Sequence, residues 1–251
     1  MEQFPQKGSL EDASHSGISA SGFKWIAAVT MTIDHIGCVL YPQYLILRII
    51  GRAAFPIYCF LLGEGFRHTS DPAAYAKRLL ICAIAAEIPF DLAFSHMLFD
   101  FTSQNVIWTL LFAFLVLWAS QQLPRLDAFA ELPQAEQEGI CLLLLMAAMM
   151  AGELLSTDYG AFGVFLAAEN GRIKSPWKRS GLAAVLLLLH YLIRNPDHIL
   201  VGCWFGLSAL SGVLLTLFYS GAKGRRLPKH LSYLFYPLHL FIIYLISVRF
   251  F

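Results

Sequence analysis

Long apolar runs are the feature of this sequence that most constrains its fold. A helix needs about 20 mostly apolar residues to cross roughly 30 Å of hydrocarbon. Runs of about that length recur along the chain, and the charged residues cluster between them. Of the 251 residues, 57% are hydrophobic and 14% are charged, and the mean hydropathy is +0.61. The sequence therefore predicts an integral membrane protein of the all-α class, a polytopic bundle of transmembrane helices.

Nine apolar stretches predict the spans, and the sixth is short, so eight spans plus a half-helix is the alternative within a range of eight to ten. The stretches are residues 23–41, 45–67, 75–95, 104–121, 139–155, 159–170, 179–194, 198–219 and 232–250. Most prolines are expected in the connectors; these are Pro42, Pro72, Pro124, Pro133, Pro176, Pro196 and Pro228. Pro56, Pro89 and Pro237 lie in or near spans, which predicts kinked or short helices that line a central cavity.

Composition and organisation exclude several classes of protein. Residues 1–22 are polar and predict a flexible tail, and residues 23–251 predict one transmembrane domain. The net charge of +1 gives no basic excess for a nucleic-acid binder. Five cysteines stand singly in apolar segments, without the spacing of a disulfide framework or a zinc site. We therefore predict neither a nucleic-acid partner nor a metal.

Lysine and arginine placement predicts the orientation. If nine helices alternate, 14 of the 18 basic residues fall on the side of the N-terminus. Basic residues are enriched in cytoplasmic connectors. The chain is therefore expected in a membrane with its N-terminus cytoplasmic and its C-terminus outside.

Ionisable side chains within the apolar runs are the main candidates for function, because charges are costly in a bilayer. Lys24 and His35 are eleven residues apart, about three turns, so they share a helix face with His35 about 16 Å deeper. Pairs spaced i,i+4 or i,i+3 also share a face. These pairs are Glu64 and His68, Arg48 and Arg52, Glu87 and Asp91, Asn105 and Thr109, and Tyr236 and His239. Together these faces predict one inward chamber.

Some of these residues have simpler interpretations. Arg48 and Arg52 are also explained by snorkelling to the outer interface. Asn105 and Thr109 equally fit hydrogen bonds between helices. His190, alone on an apolar helix, is better explained by packing than by chemistry.

Several of the polar residues belong to longer motifs. The segments KWIAAVTMTIDHIG (24–37), LRIIGRAAFPIYCFLLGEGFRHT (47–69) and AAEIPFDLAF (85–94) are similar to the opening signature of TraX family proteins. NVIWTLL (105–111), DYGAFGVFL (158–166) and YLFYPLHL (233–240) are later matches, in the expected order. The resemblance covers nearly the whole chain from about residue 23. It implies a link to conjugation, in which the founding type N-acetylates the amino terminus of pilin.

The first helix also resembles that of the membrane acyltransferase superfamily, in which a basic residue precedes a histidine by eleven positions. This resemblance implies that His35 is catalytic, that Lys24 is the basic residue, and that cytoplasmic acetyl-CoA is the acyl donor. Many members carry arginine at the first position. Lysine keeps the charge but lacks the bidentate fork with which arginine holds a phosphate.

Acyl transfer from a thioester needs a base, a donor to the developing oxyanion and a grip on CoA. His35 is the candidate base, with Asp34 beside it in sequence and a carboxylate from another helix to orient it. The candidate catalytic residues are His35, Asp34, Glu64, Glu87, Asp91, Tyr236 and His239. The candidate substrate-binding residues are Lys24, Arg52, His68, Asn105, Thr109, Asp158 and Tyr159.

The expected partners are acetyl-CoA, the lipid bilayer, and an amine or hydroxyl acceptor on a protein N-terminus or a small molecule. Basic residues of the cytoplasmic face would bind the CoA phosphates, although the positive-inside bias explains their placement equally well. They are Lys24, Arg67, Lys77, Arg78, Arg172, Lys174, Lys178 and Arg179. A proton-coupled transporter is the main alternative, since carriers also bury histidine and carboxylates in kinked helices. A non-catalytic scaffold would not need so many paired charges.

Overall fold

A computed structural model describes residues 17–225 and 229–250, so most of the predicted tail lies outside the described residues. The described chain is helical and contains no sheet. Its α-helices are α1 (Ala20–Val39), α2 (Leu45–Gly51), α3 (Ala54–His68), α4 (Pro72–Ser95), α5 (Val106–Gln122), α6 (Asp127–Ala130), α7 (Gln134–Leu154), α8 (Gly160–Arg172), α9 (Pro176–Arg194), α10 (Ile199–Leu215) and α11 (Lys229–Phe250). The all-α prediction is confirmed.

Each of the nine apolar stretches forms helix. By length and hydropathy, five segments of the described chain can cross a membrane, and the count of nine spans stays a prediction. The five are Leu45–His68, Val106–Arg125, Gln134–Leu154, Pro196–Phe218 and Ser232–Phe250. Helix α8 has 13 residues, about 20 Å, so it is shorter than a full span.

Helix starts differ from the predicted boundaries at two prolines. Pro72 and Pro176 were expected in connectors, but they begin α4 and α9. Proline fits the first turn of a helix because its missing N–H has no intrahelical partner there. Side-chain caps begin other helices: the Ser19 hydroxyl accepts from the Gly22 N–H, and Asp71 accepts from the Ala74 N–H. Helix α1 therefore begins within the stretch assigned to the tail.

The second apolar stretch is broken into α2 and α3 at Arg52 and Ala53. A break frees backbone carbonyls, which need new partners away from water. The Ser208 hydroxyl on α10 donates to the Ile49 carbonyl, and the Arg52 Nε–H donates to the Arg48 carbonyl at 3.2 Å. Two of the carbonyls near the break therefore have hydrogen-bond donors. The break also turns Arg52 toward α1.

Helix α8 lies at the centre and packs against α3, α5, α7 and α9. The core there contains Phe55, Phe114 and Leu166, each nearly inaccessible to solvent. Gly163 permits the close approach of helices, since a Cβ there would lie 2.7 Å from Thr109 Cγ2. Small residues at such contacts are typical of helix packing in membranes, where lipid competes for apolar surface.

Backbone pairs define the two ends of the bundle. At the N-terminal end, the Ile18 N–H donates to the Phe218 carbonyl at 2.8 Å, which joins the start of α1 to the end of α10. At the opposite end, the Gln104 N–H donates to the Ser156 carbonyl at 3.0 Å, which joins the segments that precede α5 and α8. Each cluster of polar side chains described below lies near one of these ends.

Candidate functional site

The Asp34 carboxylate on α1 lies between two arginines from the broken second helix. Arg52 hydrogen-bonds one carboxylate oxygen, and Arg48 Nη1 lies 3.4 Å from the other. The Asp34 and Arg52 side chains are only 14% and 12% exposed, so an unpaired charge on either of them would be costly. Gly51 allows the approach, because a Cβ there would overlap the Asp34 carboxylate. Arg52 therefore neutralises Asp34.

His35, the next residue on α1, is hydrogen-bonded to a second histidine on α11. His35 Nδ1 lies 2.8 Å from His239 Nε2, and the two rings are nearly parallel at 12°. His239 Nδ1 lies 2.9 Å from the Phe235 carbonyl oxygen.

These contacts assign the proton positions in the pair. A carbonyl only accepts, so His239 Nδ1 carries a proton, and the Nε2 of the neutral ring is an acceptor. His35 Nδ1 must then be the donor, which leaves His35 Nε2 with a free lone pair when His35 is neutral. The second histidine, rather than a carboxylate, orients His35.

Aromatic rings and an apolar groove surround the histidine pair. The Phe94 ring meets the His35 ring edge-on at 5.5 Å, and the Tyr236 ring lies 6.3 Å from it. A groove of about 460 Å³ runs between α1 and α11, with His239 in its wall and otherwise almost wholly apolar surface. The groove therefore reaches His239 from the side of the bundle.

The loop before α8 adds a constrained segment at the same end. The Thr109 hydroxyl contacts the Asp158 carbonyl and, at 2.9 Å, the Thr157 hydroxyl. Ser156 and Tyr159 have positive φ angles of 51° and 66°. Such conformations are costly for residues other than glycine and persist where the surroundings enforce them.

Arg52 brings this loop into the electrostatic environment of Asp34. Asp158 has an exposed surface, but the protein atoms around it displace part of its hydration. The resulting desolvation raises the pKa of Asp158, while the positive charges of Arg52 and Arg48 oppose the rise. The Tyr159 ring stacks on Phe55 at 3.7 Å, and its hydroxyl lies 3.3 Å from that of Tyr191.

Glu87 on α4 belongs to a separate hydrogen-bonded cluster with the start of α5. Its Oε1 accepts from Asn105 Nδ2 at 2.6 Å and from Trp108 Nε1 at 2.5 Å. Asn105 is fully buried and also caps α5, since its Oδ1 accepts from the Ile107 N–H at 3.0 Å. Glu87 Oε2 is buried without a hydrogen-bond partner among the described residues.

One turn further along α4, Asp91 is 3% exposed and accepts from the Asp100 N–H at 2.9 Å. The Asp100 carboxylate accepts hydrogen bonds from Ser95 and from the Thr102 hydroxyl at 2.6 Å. These donors stabilise the charged form and lower the pKa of Asp100. The Asp91 cluster therefore holds the 96–105 loop in place.

Glu64 lies instead at the N-terminal end of the bundle. Its Oε1 accepts from Arg67 Nη2 at 2.5 Å and lies 3.8 Å from Arg179 Nη1. His68 is exposed, and its Nδ1 lies 2.9 Å from the Glu64 carbonyl oxygen. Lys24 is also exposed near this end, eleven residues before His35.

The structure thus divides the predicted chamber between the two ends. At the opposite end lie Asp34, His35, Arg52, Glu87, Asp91, Asn105, Thr109, Asp158, Tyr159, Tyr236 and His239; at the N-terminal end lie Lys24, Glu64 and His68. Helical periodicity predicts which way a side chain points around the helix axis, but not at which end of the bundle it lies. Glu64 on α3 and His35 on α1 lie at opposite ends of the bundle. No group of three or more histidine, cysteine, aspartate or glutamate side chains in the described residues could hold a metal.

Sequence reasoning missed three contributors to these clusters. Trp108 follows Asn105 on the first turn of α5, and Tyr191 faces Tyr159 from α9. Arg179 was noted only as part of a basic cluster, yet its side chain is buried and lies over the Phe60 ring at 4.8 Å. One sequence signal could have indicated that Arg179 is buried. It lies three positions after the start of a helix and is followed by an apolar run.

The His190 ring packs against aromatic side chains. Its ring stacks on Phe162 at a centroid distance of 4.1 Å. It provides a matched histidine control outside the His35 pair.

The fold and the polar clusters define a helical membrane protein with hydrogen-bonded ionisable groups between its helices. The chain belongs to the TraX family, because the family model described as TraX protein matches residues 19–247. This confirms the resemblance inferred from the motifs.

Two curated proteins are similar to the chain. The "Probable fimbrial assembly protein FimC, serogroup H1" of Dichelobacter nodosus is 26% identical over 243 residues, covering 90% of this chain and 94% of that protein. An uncharacterized protein of Rickettsia prowazekii (strain Madrid E) is 56% identical over 43 residues, which is 17% of each chain. No solved structure matches.

Proposed function

We propose that the protein is a membrane acyltransferase that moves an acetyl group from acetyl-CoA to an amine or hydroxyl acceptor, with His35 as the base. The observation that carries the proposal is the hydrogen-bond chain from His35 through His239 to the Phe235 carbonyl. It leaves a free lone pair on His35 Nε2, held in orientation by a second ring. A general base needs that combination of basicity and fixed direction.

The proposed step balances because one proton moves twice, first from the acceptor to His35 and then from His35 to the leaving group. His35 Nε2 removes a proton from the acceptor nitrogen or oxygen as that atom attacks the thioester carbon. The C–S bond of the donor then breaks, and the departing CoA thiolate takes the proton. His239 stabilises the transient imidazolium through the Nδ1–H bond of His35. Tyr236, whose ring lies 6.3 Å from that of His35, is the proposed donor to the developing oxyanion.

The Asp34 cluster has a positioning role in this proposal. Asp34 is engaged by two arginines, so it does not act as a base. Its ion pairs connect α1 to the broken helix and hold His35 at its position along α11. Arg52 and Asp158 add charged groups at the same end of the bundle.

The acceptor proposed first is the amino group of a protein N-terminus. The name of the Dichelobacter nodosus relative, a probable fimbrial assembly protein, supports an acceptor among proteins of surface fibres. A small-molecule amine or hydroxyl is the alternative. The proposed location is the bacterial cytoplasmic membrane with the N-terminus inside, supported by the 14-to-4 distribution of basic residues.

The test uses the full chain in nanodiscs with labelled acetyl-CoA and a panel of pilin-type N-terminal peptides, small amines and hydroxyl compounds. We expect His35→Ala to lower transfer by about 10²–10⁴-fold, as removal of a general base does. His239→Ala should lower it by about 10-fold or more, because the ring orientation is lost. His190→Ala should retain near wild-type transfer.

Two outcomes would contradict the proposal. Near wild-type transfer by His35→Ala would remove the base assignment. Absence of acetyl-CoA binding and transfer in the wild type, together with proton-coupled uptake of a solute by proteoliposomes, would establish the carrier function instead.

A further inference from the structure

A small pocket opens at the N-terminal end of the bundle, far along α3 from the Arg52 break. It has a volume of about 180 Å³, and we call it the N-terminal pocket. Its polar lining consists of Glu64, Arg67, Lys174, Arg179, Thr216 and Tyr219. Among the described residues, three cationic side chains thus face one carboxylate, which gives this lining an excess of positive charge.

The single carboxylate is already engaged. Arg67 Nη2 lies 2.5 Å from Glu64 Oε1, and Arg67 Nη1 donates to the Gly171 carbonyl at 2.9 Å. Arg179 Nη1 is 3.8 Å from the same Glu64 oxygen, which is beyond hydrogen-bond distance. Glu64 therefore neutralises Arg67 and leaves Arg179 under-compensated.

Arg179 is also the most enclosed cation of the pocket. The residue is 5% exposed, and its Nε is buried without a hydrogen-bond partner among the described residues. An orphaned donor on a buried cation is costly unless an acceptor is supplied. Its position over the Phe60 ring holds the guanidinium plane in place.

The start of α9 adds to the positive potential. Pro176, its first residue, lines the pocket, and the Ser175 side chain makes no cap hydrogen bond. The first-turn N–H groups of this 19-residue helix therefore lack a side-chain cap at its positive end. Guanidinium groups beside a helix N-terminus form a typical environment for phosphate oxygens.

We propose that the N-terminal pocket binds a phosphate group, and that in the proposed reaction this group belongs to CoA. The assignment to CoA rests on the proposed function, whereas the phosphate site itself does not. An anionic lipid headgroup presents the same chemistry, so the experiment separates the two sources.

The test measures CoA and inorganic phosphate binding by calorimetry, with the chain in phosphatidylcholine nanodiscs. We expect Arg179→Gln to weaken CoA binding by about 10-fold or more, the loss of a charge-assisted hydrogen bond. Lys174→Gln, at the exposed mouth, should weaken it by a smaller factor without endangering the fold. Arg125→Gln is the matched control, because Arg125 is exposed and its Nη1 donates to Gln122 Oε1 at 3.1 Å outside the pocket.

A second arm replaces half of the lipid with phosphatidylglycerol. Competition by that lipid with inorganic phosphate, without any binding of CoA, would overturn the CoA assignment and identify a headgroup site. Unchanged phosphate affinity in both Arg179→Gln and Lys174→Gln would overturn the phosphate site altogether.

The two proposals fail in different ways. His35→Ala should bind CoA like the wild type while transfer is lost. If Arg179→Gln binds CoA normally while wild-type transfer proceeds, the pocket assignment fails and the acyltransferase stands. If the wild type binds phosphate but neither binds nor transfers from acetyl-CoA, the acyltransferase fails and the phosphate site stands.

Discussion

The two ends of the bundle handle charge differently. At the end opposite the N-terminal end, Asp34 is paired with two arginines and His35 with His239, so each of these groups has its partner inside the protein. At the N-terminal end, Glu64 is paired with Arg67, and Arg179 Nε has no hydrogen-bond partner among the described residues. Internal pairing fixes geometry, whereas excess charge beside an opening attracts a ligand. The comparison separates a region suited to chemistry from one suited to binding.

The largest expected stability effect breaks the pairing of Asp34. Asp34→Leu leaves two arginines unneutralised between helices, so we expect a loss of about 3–5 kcal/mol in the free energy of unfolding. The measurement is denaturant unfolding in mixed micelles. Asp34→Leu combined with Arg52→Leu should recover part of the loss; a double variant less stable than the single would argue against the pairing.

The next prediction concerns the close approach of α1 and α2. Gly51→Ala places a Cβ against the Asp34 carboxylate and should cost about 1–3 kcal/mol through overpacking. Gly181→Ala on α9 is the control, because a Cβ there meets nothing within 4 Å. Equal thermal unfolding midpoints for the two variants would contradict the described contact.

Much of the fold was predictable from the sequence, because the length and hydropathy of each apolar run determine where a helix can lie in a bilayer. The pairing of Asp34 with Arg52 was not, since it depends on the break at Arg52 and Ala53, and no glycine or proline at those two positions marks it. The i,i+4 spacing of Glu64 and His68 correctly placed them on neighbouring positions of one face. It carried no information on which end of the bundle that face would reach.

A third prediction tests the anchor of the loop before α8. Thr109→Val removes the hydroxyl that contacts the Asp158 carbonyl, and we expect a loss of about 1 kcal/mol. Hydrogen exchange at residues 156–159 should accelerate. Thr30→Val serves as control, because its hydroxyl bonds only within α1, to Ile26 at 2.8 Å and Ala27 at 3.2 Å; equal acceleration in both variants would disprove the anchoring role.

A smaller effect is expected from the competing carboxylate of the N-terminal pocket. Glu64→Gln removes the negative charge beside Arg179, so phosphate should bind about two- to fivefold more tightly. The measurement is the same calorimetric titration, with Glu169→Gln as the control outside the pocket. Weaker binding by Glu64→Gln would show that Glu64 positions the arginines rather than competing with the anion.

The smallest effect is a pH dependence in the 96–105 loop. The pKa of Asp100 is lowered in the folded state by donors from Ser95 and Thr102, so its contribution to stability is complete above its ordinary pKa of 3.8. The contribution is lost as the pH falls through the lower folded pKa. Asp100→Asn should make stability less sensitive to acid in that range, as measured by unfolding between pH 5 and about pH 3; an unchanged acid slope would contradict this role.

The hydrogen bond between His35 and His239 joins residues 204 positions apart, on the first and last helices of the described chain. During synthesis, α1 enters the bilayer long before α11 leaves the ribosome. A nascent chain that stops before α11 has no second ring to orient His35. The proposed base would therefore become competent only after α11 has been synthesised, so a product truncated before α11 would remain inert toward the acyl donor.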